Sequence, residues 1–389
     1  MRQTFALLQD AYRELNHRKL FWITLALSGV VVLAFAAVGN DEEGLTFLHW
    51  SIPFPLLSTN FIPSADFYKF IFATLGVGYW LGWIATIIAL ISTASIMPEF
   101  VDRGSIDLML SKPIGRARLF LTKFATGLLF AAMQVTVFTV ASILVIGLRG
   151  GEWEPWLLIA IPLVVIFYSY LFAVQAVVGM ITRSTIAAVI SVMLFWLVLF
   201  MVQAGDGATL AWRVTQEIVV ERIDSRIERL EALAAEKEEI RLGVKEAADL
   251  GDPDAIDLLE EATDEADLAA ARLITVQGEV EDEVGNLEKA RYVNDWFHLA
   301  NTVLPKTGET IEMLERILRE QTDLVIPMPG DDDDTRRQFG EMVGAREFNE
   351  RMNKALDESH SYAWVIGTSL LFEAGVLLIG VAWFSRRDF

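Results

Sequence analysis

The chain of 389 residues contains no cysteine. Disulfides, thiolate metal sites and cysteine nucleophiles are therefore excluded, and a domain outside the cell must hold itself by packing alone. Histidine is almost as scarce. His17, His49, His298 and His360 are scattered without metal-ligand spacing and read as ordinary surface or interface residues. No G-x-x-x-x-G-K-S/T run is present, so the chain does not hold ATP through that phosphate loop, and H-E-x-x-H and G-x-S-x-G are missing as well. Net charge is −20, without the clustered cations that nucleic-acid binding needs. The expectation is a chain that is not an enzyme, takes no metal or cofactor of its own and binds no nucleic acid.

Charge is also missing from six long stretches: Leu20–Val38, Phe70–Met97, Phe124–Leu148, Leu157–Ile181, Ile186–Gln203 and Tyr362–Phe384. The first five carry no Asp, Glu, Lys or Arg, and the sixth carries only Glu373. A spanning helix needs about 20 apolar residues, because each residue rises about 1.5 Å across a hydrocarbon core about 30 Å thick. The expected fold class is an all-α membrane protein with six transmembrane helices and an extracytoplasmic helical hairpin between the fifth and the sixth. Ala34-Phe35-Ala36 has the look of a signal-peptide cleavage site, but the long, patterned Met1–Lys19 favours an uncleaved first span.

The short loops give a direction. Arg2, Arg13, Arg18 and Lys19 precede the first span, Arg103, Lys112, Arg116, Arg118 and Lys123 follow the second, Arg183 follows the fourth, and Arg386 and Arg387 follow the sixth. All of these fall on one side if every span crosses. The positive-inside bias then makes both termini cytoplasmic in a cell (inner) membrane and puts 205–361 outside. That outer segment holds 39 Asp+Glu and 18 Lys+Arg, essentially the whole acidity of the chain.

Within it, 210–293 reads as two helices folded back on each other. Leu259, Ala266, Leu273, Val280 and Leu287 recur every seven residues, with Thr263, Ala270, Gln277, Val284 and Arg291 as the expected alternate seam. Val220, Ile223, Ile227, Leu230 and Ala234 mark the first helix. This is coiled-coil spacing, and Gly251-Asp252-Pro253-Asp254 is the turn. Helices of about 35 residues would reach roughly 50 Å from the membrane. The thin seam points to a mobile hairpin or to an envelope or periplasmic partner.

Several shorter features complete the pass. Phe5, Leu8, Tyr12 and Leu15 put one apolar stripe on a helix over 3–18, lying in the interface or packed on another loop. Residues 40–69, rich in aromatics and proline, read as an interfacial loop. Thr310–Arg319 reads as a helix with Ile311, Leu314, Ile317 and Leu318 on its apolar face. Leu304-Pro305-Lys306-Thr307-Gly308 matches the L-P-x-T-G sorting pentapeptide, yet the next span begins more than fifty residues later, so it reads as a turn into a helix. Asp331–Asp334 lacks the alternating spacing of a calcium loop and reads as solvated. Glu373 is a mid-span carboxyl, which must face the protein interior or water, where it pairs with a neighbouring helix or lines a pathway. Gln134 and Gln175 read as interhelical hydrogen bonders.

The most informative segment is the connection 98–123. Its stretch from Glu99 to Arg116, E-F-V-D-R-G-S-I-D-L-M-L-S-K-P-I-G-R, is followed by Leu119-Phe120-Leu121-Thr122-Lys123. It reads as a short amphipathic helix ended by Pro113. This segment resembles the first cytoplasmic loop of ABC-2-type transporter permeases, including the nitrous-oxide-reductase maturation type. The span count and the closing Phe384-Ser385-Arg386-Arg387-Asp388-Phe389 fit too, over 1–204 and 295–389. The resemblance implies a permease subunit with a coupling helix docked on a separate nucleotide-binding ATPase, which would carry ATP and Mg. It also implies a second permease chain. Glu99, Arg103, Gly104, Asp107, Lys112, Pro113 and Arg116 would then be the docking and coupling residues. The long outer hairpin departs from the family pattern. It leaves open a complex that acts mechanically on an envelope partner without moving a solute, or a membrane anchor or sensor without an ATPase.

Overall fold

A computed structural model of the chain describes residues 19–53, 58–59, 62–101, 115–250, 252–321 and 342–387. In chain order its helices are α1 (Lys19–Ala37), α2 (Ser64–Phe100), α3 (Arg116–Gly150), α4 (Pro155–Thr182), α5 (Thr185–Asp249), α6 (Pro253–Val303), α7 (Thr307–Gln321), α8 (Met342–Ser359) and α9 (Tyr362–Arg386). Five of them, α2, α3, α4, α5 and α9, are long and apolar enough to cross a membrane. In α1 the apolar helix Phe21–Ala37 is shorter. The expected amphipathic helix over 3–18 and the Asp331–Asp334 run lie outside the described residues.

The chain divides into two compact units. The first is Met1–Gln203 with Asn301–Gly340 and His360–Phe389, and the second is Ala204–Ala300 with Glu341–Ser359. This boundary differs from an outer segment of 205–361, because α7 packs with the apolar helices. Its residues Ile311, Met313, Leu314 and Leu318 are buried in the first unit's core. The apolar face of α7 was legible in the sequence; its partner was not, because a helix with polar residues on its other face does not read as membrane-associated.

In the first unit, small residues let helices approach. Gly127 on α3 lies against the ring of Phe172 on α4, where a Cβ would collide. That ring is stacked between Phe124 (5.3 Å) and Tyr168 (5.5 Å). Gly380 on α9 similarly faces Phe120 and Val177. Helix α2 is interrupted by a turn at Ala94-Ser95. Pro98 accounts for the break, since its ring would clash with the carbonyl four residues earlier and it has no N–H to offer. On α5, Ile186, Ile190, Leu194, Leu197 and Met201 form an exposed apolar stripe at helical spacing. Such a stripe is costly in water and ordinary against lipid.

Where an interfacial loop was expected after α1, the chain forms a three-stranded antiparallel sheet, β1 (Val38–Asn40), β2 (Gly44–Phe47) and β3 (Trp50–Pro53). Asp41 Oδ1 accepts from the backbone N–H of Glu43 and Gly44, both at 2.9 Å, which closes the first turn. Leu48, with φ of 58°, closes the second. Strands this short carry little period-two signal, so turn chemistry rather than patterning was the clue.

In the second unit, contacts between α5 and α6 run in opposite directions along the two helices. Asn294 donates to Thr209 (3.3 Å), Arg291 pairs with Glu217 (3.3 Å), and Lys237 pairs with Glu265 (2.7 Å). Burial on α6 follows a four-three alternation: Ala255, Leu259, Ala262, Ala266, Ala269, Leu273, Val276, Val280, Glu283, Leu287, Ala290 and Asn294 are buried or half-buried, with Thr263, Gly285, Asn286 and Val293 half-buried beside them. The seven-residue series from Leu259 is therefore the inward one. Of the alternate series Thr263 is half-buried, but Ala270, Gln277, Val284 and Arg291 are exposed, and Ala269, Val276, Glu283 and Ala290 take the inner positions. From Leu259 a step of four or of three both stay near one face, and alanine at 269 and 270 alike gave the sequence no means to choose. The third helix of this unit, α8, was not expected. Its Phe348, Met352, Ala355 and Leu356 pack on Leu210, Val214 and Ile218 of α5. Arg222 and Arg351 pair with Glu347, at 2.6 and 3.0 Å.

Candidate functional site

Two places in the first unit gather the residues singled out in the sequence. The first is the foot of the 98–123 connection. Phe100, at the end of α2, is buried against Phe384 of α9, with ring centroids 5.3 Å apart. Arg116, at the start of α3, donates from Nη1 to the backbone carbonyls of Ser385 (3.2 Å) and Arg387 (2.7 Å). Both ends of the connection therefore hold the end of α9. The last carbonyls of a helix lack intrahelical partners, and a guanidinium satisfies them while complementing the negative end of the helix dipole. Glu99 is exposed beside Phe100. Arg103, Gly104, Asp107, Lys112 and Pro113 lie outside the described residues.

The second place is a polar seam inside the bundle. Glu373 is buried, and its Oε2 accepts from Ser169 Oγ on α4 at 2.7 Å. One turn earlier on α9, Ser369 Oγ accepts from the backbone N–H of Lys306 at 2.9 Å. Tyr170 lies beside Thr310, Ser369 and Glu373, its buried hydroxyl meeting none of them with good hydrogen-bond geometry. Lys306 is fully buried. Its ammonium donates to Thr302 O (2.8 Å), Leu304 O (2.9 Å) and Thr368 Oγ1 (2.7 Å), and lies 4.4 Å from the centre of the Trp364 ring. The turn Leu304–Gly308 does lead into a helix, α7, as its sequence indicated. That it would also deliver a cation into the bundle had no signal beyond a lysine beside a proline.

Gln134 and Gln175 are both buried, and both make the interhelical bonds expected of them. Gln134 Nε2 donates to Phe21 O (3.4 Å) and Gln175 Nε2 to Leu90 O (2.8 Å). Neither meets the Glu373 seam in any of these bonds. A further cluster went unread: Lys69, only 3% exposed, is held by Asp66 (3.3 Å), Glu152 (2.9 Å) and Glu154 (2.9 Å), which ties the start of α2 to the α3–α4 connection. A lysine at a span boundary is common enough to pass as a solvated flank. Chemically, the seam offers one carboxyl, one ammonium and several hydroxyls in a low-dielectric bundle, where each hydrogen bond counts for more than at the surface.

A family model described as "Protein of unknown function (DUF2705)" matches residues 28–204, which run from within α1 into α5. No curated protein and no solved structure matches the chain. The matched segment stops where the second unit begins.

Proposed function

We propose that this chain is the membrane-spanning permease subunit of an ABC-2-type transporter, an exporter driven by a separate ATPase that binds ATP and Mg. In this reading α1 is a sixth span, both termini are cytoplasmic, the segment between α5 and α9 emerges on the outer side with α7 packed back on the apolar helices, and two permease chains build one pathway. The observation that carries it is the double grip on α9. A push on the 98–123 connection is delivered through Phe100 and Arg116 to the end of the helix that bears Glu373 and Ser369. A passive connector needs no such grip. The coupling loop supplies the docking residues, Glu99 and Arg103 among them, and the Glu373–Ser169 contact is the point inside the bundle where movement of α9 is felt.

The test is co-purification from native membranes. A nucleotide-binding subunit should come with the chain. Glu99→Ala and Arg103→Ala should weaken its retention, whereas Arg116→Ala should leave it bound but uncouple ATP hydrolysis from transport. Recovery of the chain without any ATPase would refute the proposal.

One observation favours a second reading. Helix α5 runs without a break from its apolar stretch to Asp249, so one helix supplies both a span and the first arm of the hairpin. The complex would then act mechanically on an envelope partner. Deleting residues 215–290 separates the two: transport survives the deletion if the hairpin is a lever or a dock, and is lost if it forms part of the pathway.

A further inference from the structure

The end of α9 carries a groove that the coupling argument does not use. It is an open, shallow hollow of about 460 Å³ lined by Ala382, Trp383, Arg386 and Arg387. The Arg387 guanidinium lies 4.6 Å from the centre of the Trp383 ring, which fixes one cation at the groove wall. The usual reason for arginines at a helix end is to satisfy its last carbonyls. Here that task falls to Arg116, which takes the carbonyls of Ser385 and Arg387. Arg386 and Arg387 are both exposed, and neither shows a hydrogen bond or ion pair from its guanidinium to the described residues. Both line the groove.

A second observation says what the groove is for. Leu371 (75% exposed), Leu378 (67%) and Ile379 (62%) form an apolar stripe along the outside of α9. At helical spacing the stripe runs on through the exposed Ala382 to Arg386. A hydrocarbon-facing track therefore ends at two arginines and a tryptophan. We infer that this groove binds the headgroup of an anionic phospholipid, with the phosphodiester on Arg386 and Arg387, the glycerol region against Trp383, and an acyl chain along Leu378 and Leu371. Free phosphate shares the headgroup chemistry but has no use for the stripe. The inference rests on α9 lying in a membrane, as in the function proposed above.

The full chain is reconstituted in phosphatidylcholine nanodiscs doped with phosphatidylglycerol, and native mass spectrometry counts the phosphatidylglycerol it retains. The wild type should enrich the anionic lipid. Arg386→Gln with Arg387→Gln should reduce retention by about fivefold per arginine. Trp383→Leu, which keeps both charges, should reduce it by about two- to fivefold. Arg386→Lys with Arg387→Lys should restore most of it, which guards against a folding defect in the glutamine variant. Lys19→Gln with Arg118→Gln removes the same charge elsewhere and should change little. Equal loss in that control, no loss in the glutamine variant, or displacement of the lipid by inorganic phosphate would each overturn the assignment. A chain that fails to enter nanodiscs at all would instead refute the membrane reading beneath it.

Discussion

Replacing Lys306 by methionine removes one charge from the bundle and almost no volume, so its effect can be worked from the contacts. The ammonium makes three hydrogen bonds, two of them to main-chain carbonyls around the end of α6, and faces the ring of Trp364. Hydrogen bonds to a charged group contribute about 1.5–3 kcal/mol each, and a desolvated cation–π contact about 2 kcal/mol. Against this stands the cost of holding a cation away from water, which the variant no longer bears. Breaking a buried charged network by removing one partner typically costs about 3–5 kcal/mol. We expect a loss in that range, felt first where the turn Leu304–Gly308 ties α7 to α9. At 1.4 kcal/mol per tenfold, the amides of α7 should lose about 100-fold or more of their hydrogen-exchange protection. Those of α1 serve as an internal reference in the same sample. Lys306→Arg should not rescue, because the cage leaves the side chain no exposed surface for a larger head. Protection of α7 within about threefold of wild type in Lys306→Met would refute the reasoning.

The remaining predictions test packing and charge. Gly127→Val should lower the melting temperature, at a cost of about 1–3 kcal/mol, because its Cβ meets the stacked Phe172 ring. Gly29→Val, with open space around it, should melt close to wild type. In the second unit, Ala269→Glu should destabilise the hairpin by several kcal/mol, whereas Ala270→Glu should stay within about 0.5 kcal/mol. Thermal melts followed by circular dichroism would read both pairs, and equal effects at 269 and 270 would reject the four-three seam. The Glu347 carboxyl is held below its ordinary range, first by Arg222 and also by Arg351. Its contribution is therefore fully present above the unfolded carboxylate value of about 4.3 and is lost as pH falls through the lower folded value. Exchange protection of α8 should accordingly drop on acidification below about pH 4, and Glu347→Gln should abolish that dependence.

Much of the fold was legible because the strongest signals are local. The runs from Phe70, Phe124, Leu157, Ile186 and Tyr362 became helices long enough to cross a membrane, since a charge-free run of that length has few other ways to satisfy its backbone in lipid. The helix break expected before Pro253 likewise fell where α5 ends, at Asp249, and α6 begins, at Pro253. The sheet over 38–53 escaped because its strands are only three and four residues long. Helix α8 escaped because an apolar stripe on a polar helix does not announce its partner. For the candidate site, Glu373 was found as the lone charge in its span. Ser169, Ser369 and Lys306 were not, because hydroxyls are unremarkable in membrane helices and the lysine sat outside any span.

By itself, then, the sequence determined which stretches are apolar, where the chain turns and where its acidity lies, because each depends on residues close together along the chain. Only the tertiary structure decided which face of α6 is inward, that α7 belongs with the apolar helices, and that Phe100 and Arg116 grip the end of α9. Those facts join residues as much as 284 positions apart, the separation of Phe100 from Phe384. Contacts at that separation are chosen by side-chain packing and hydrogen-bond satisfaction, which no local pattern encodes.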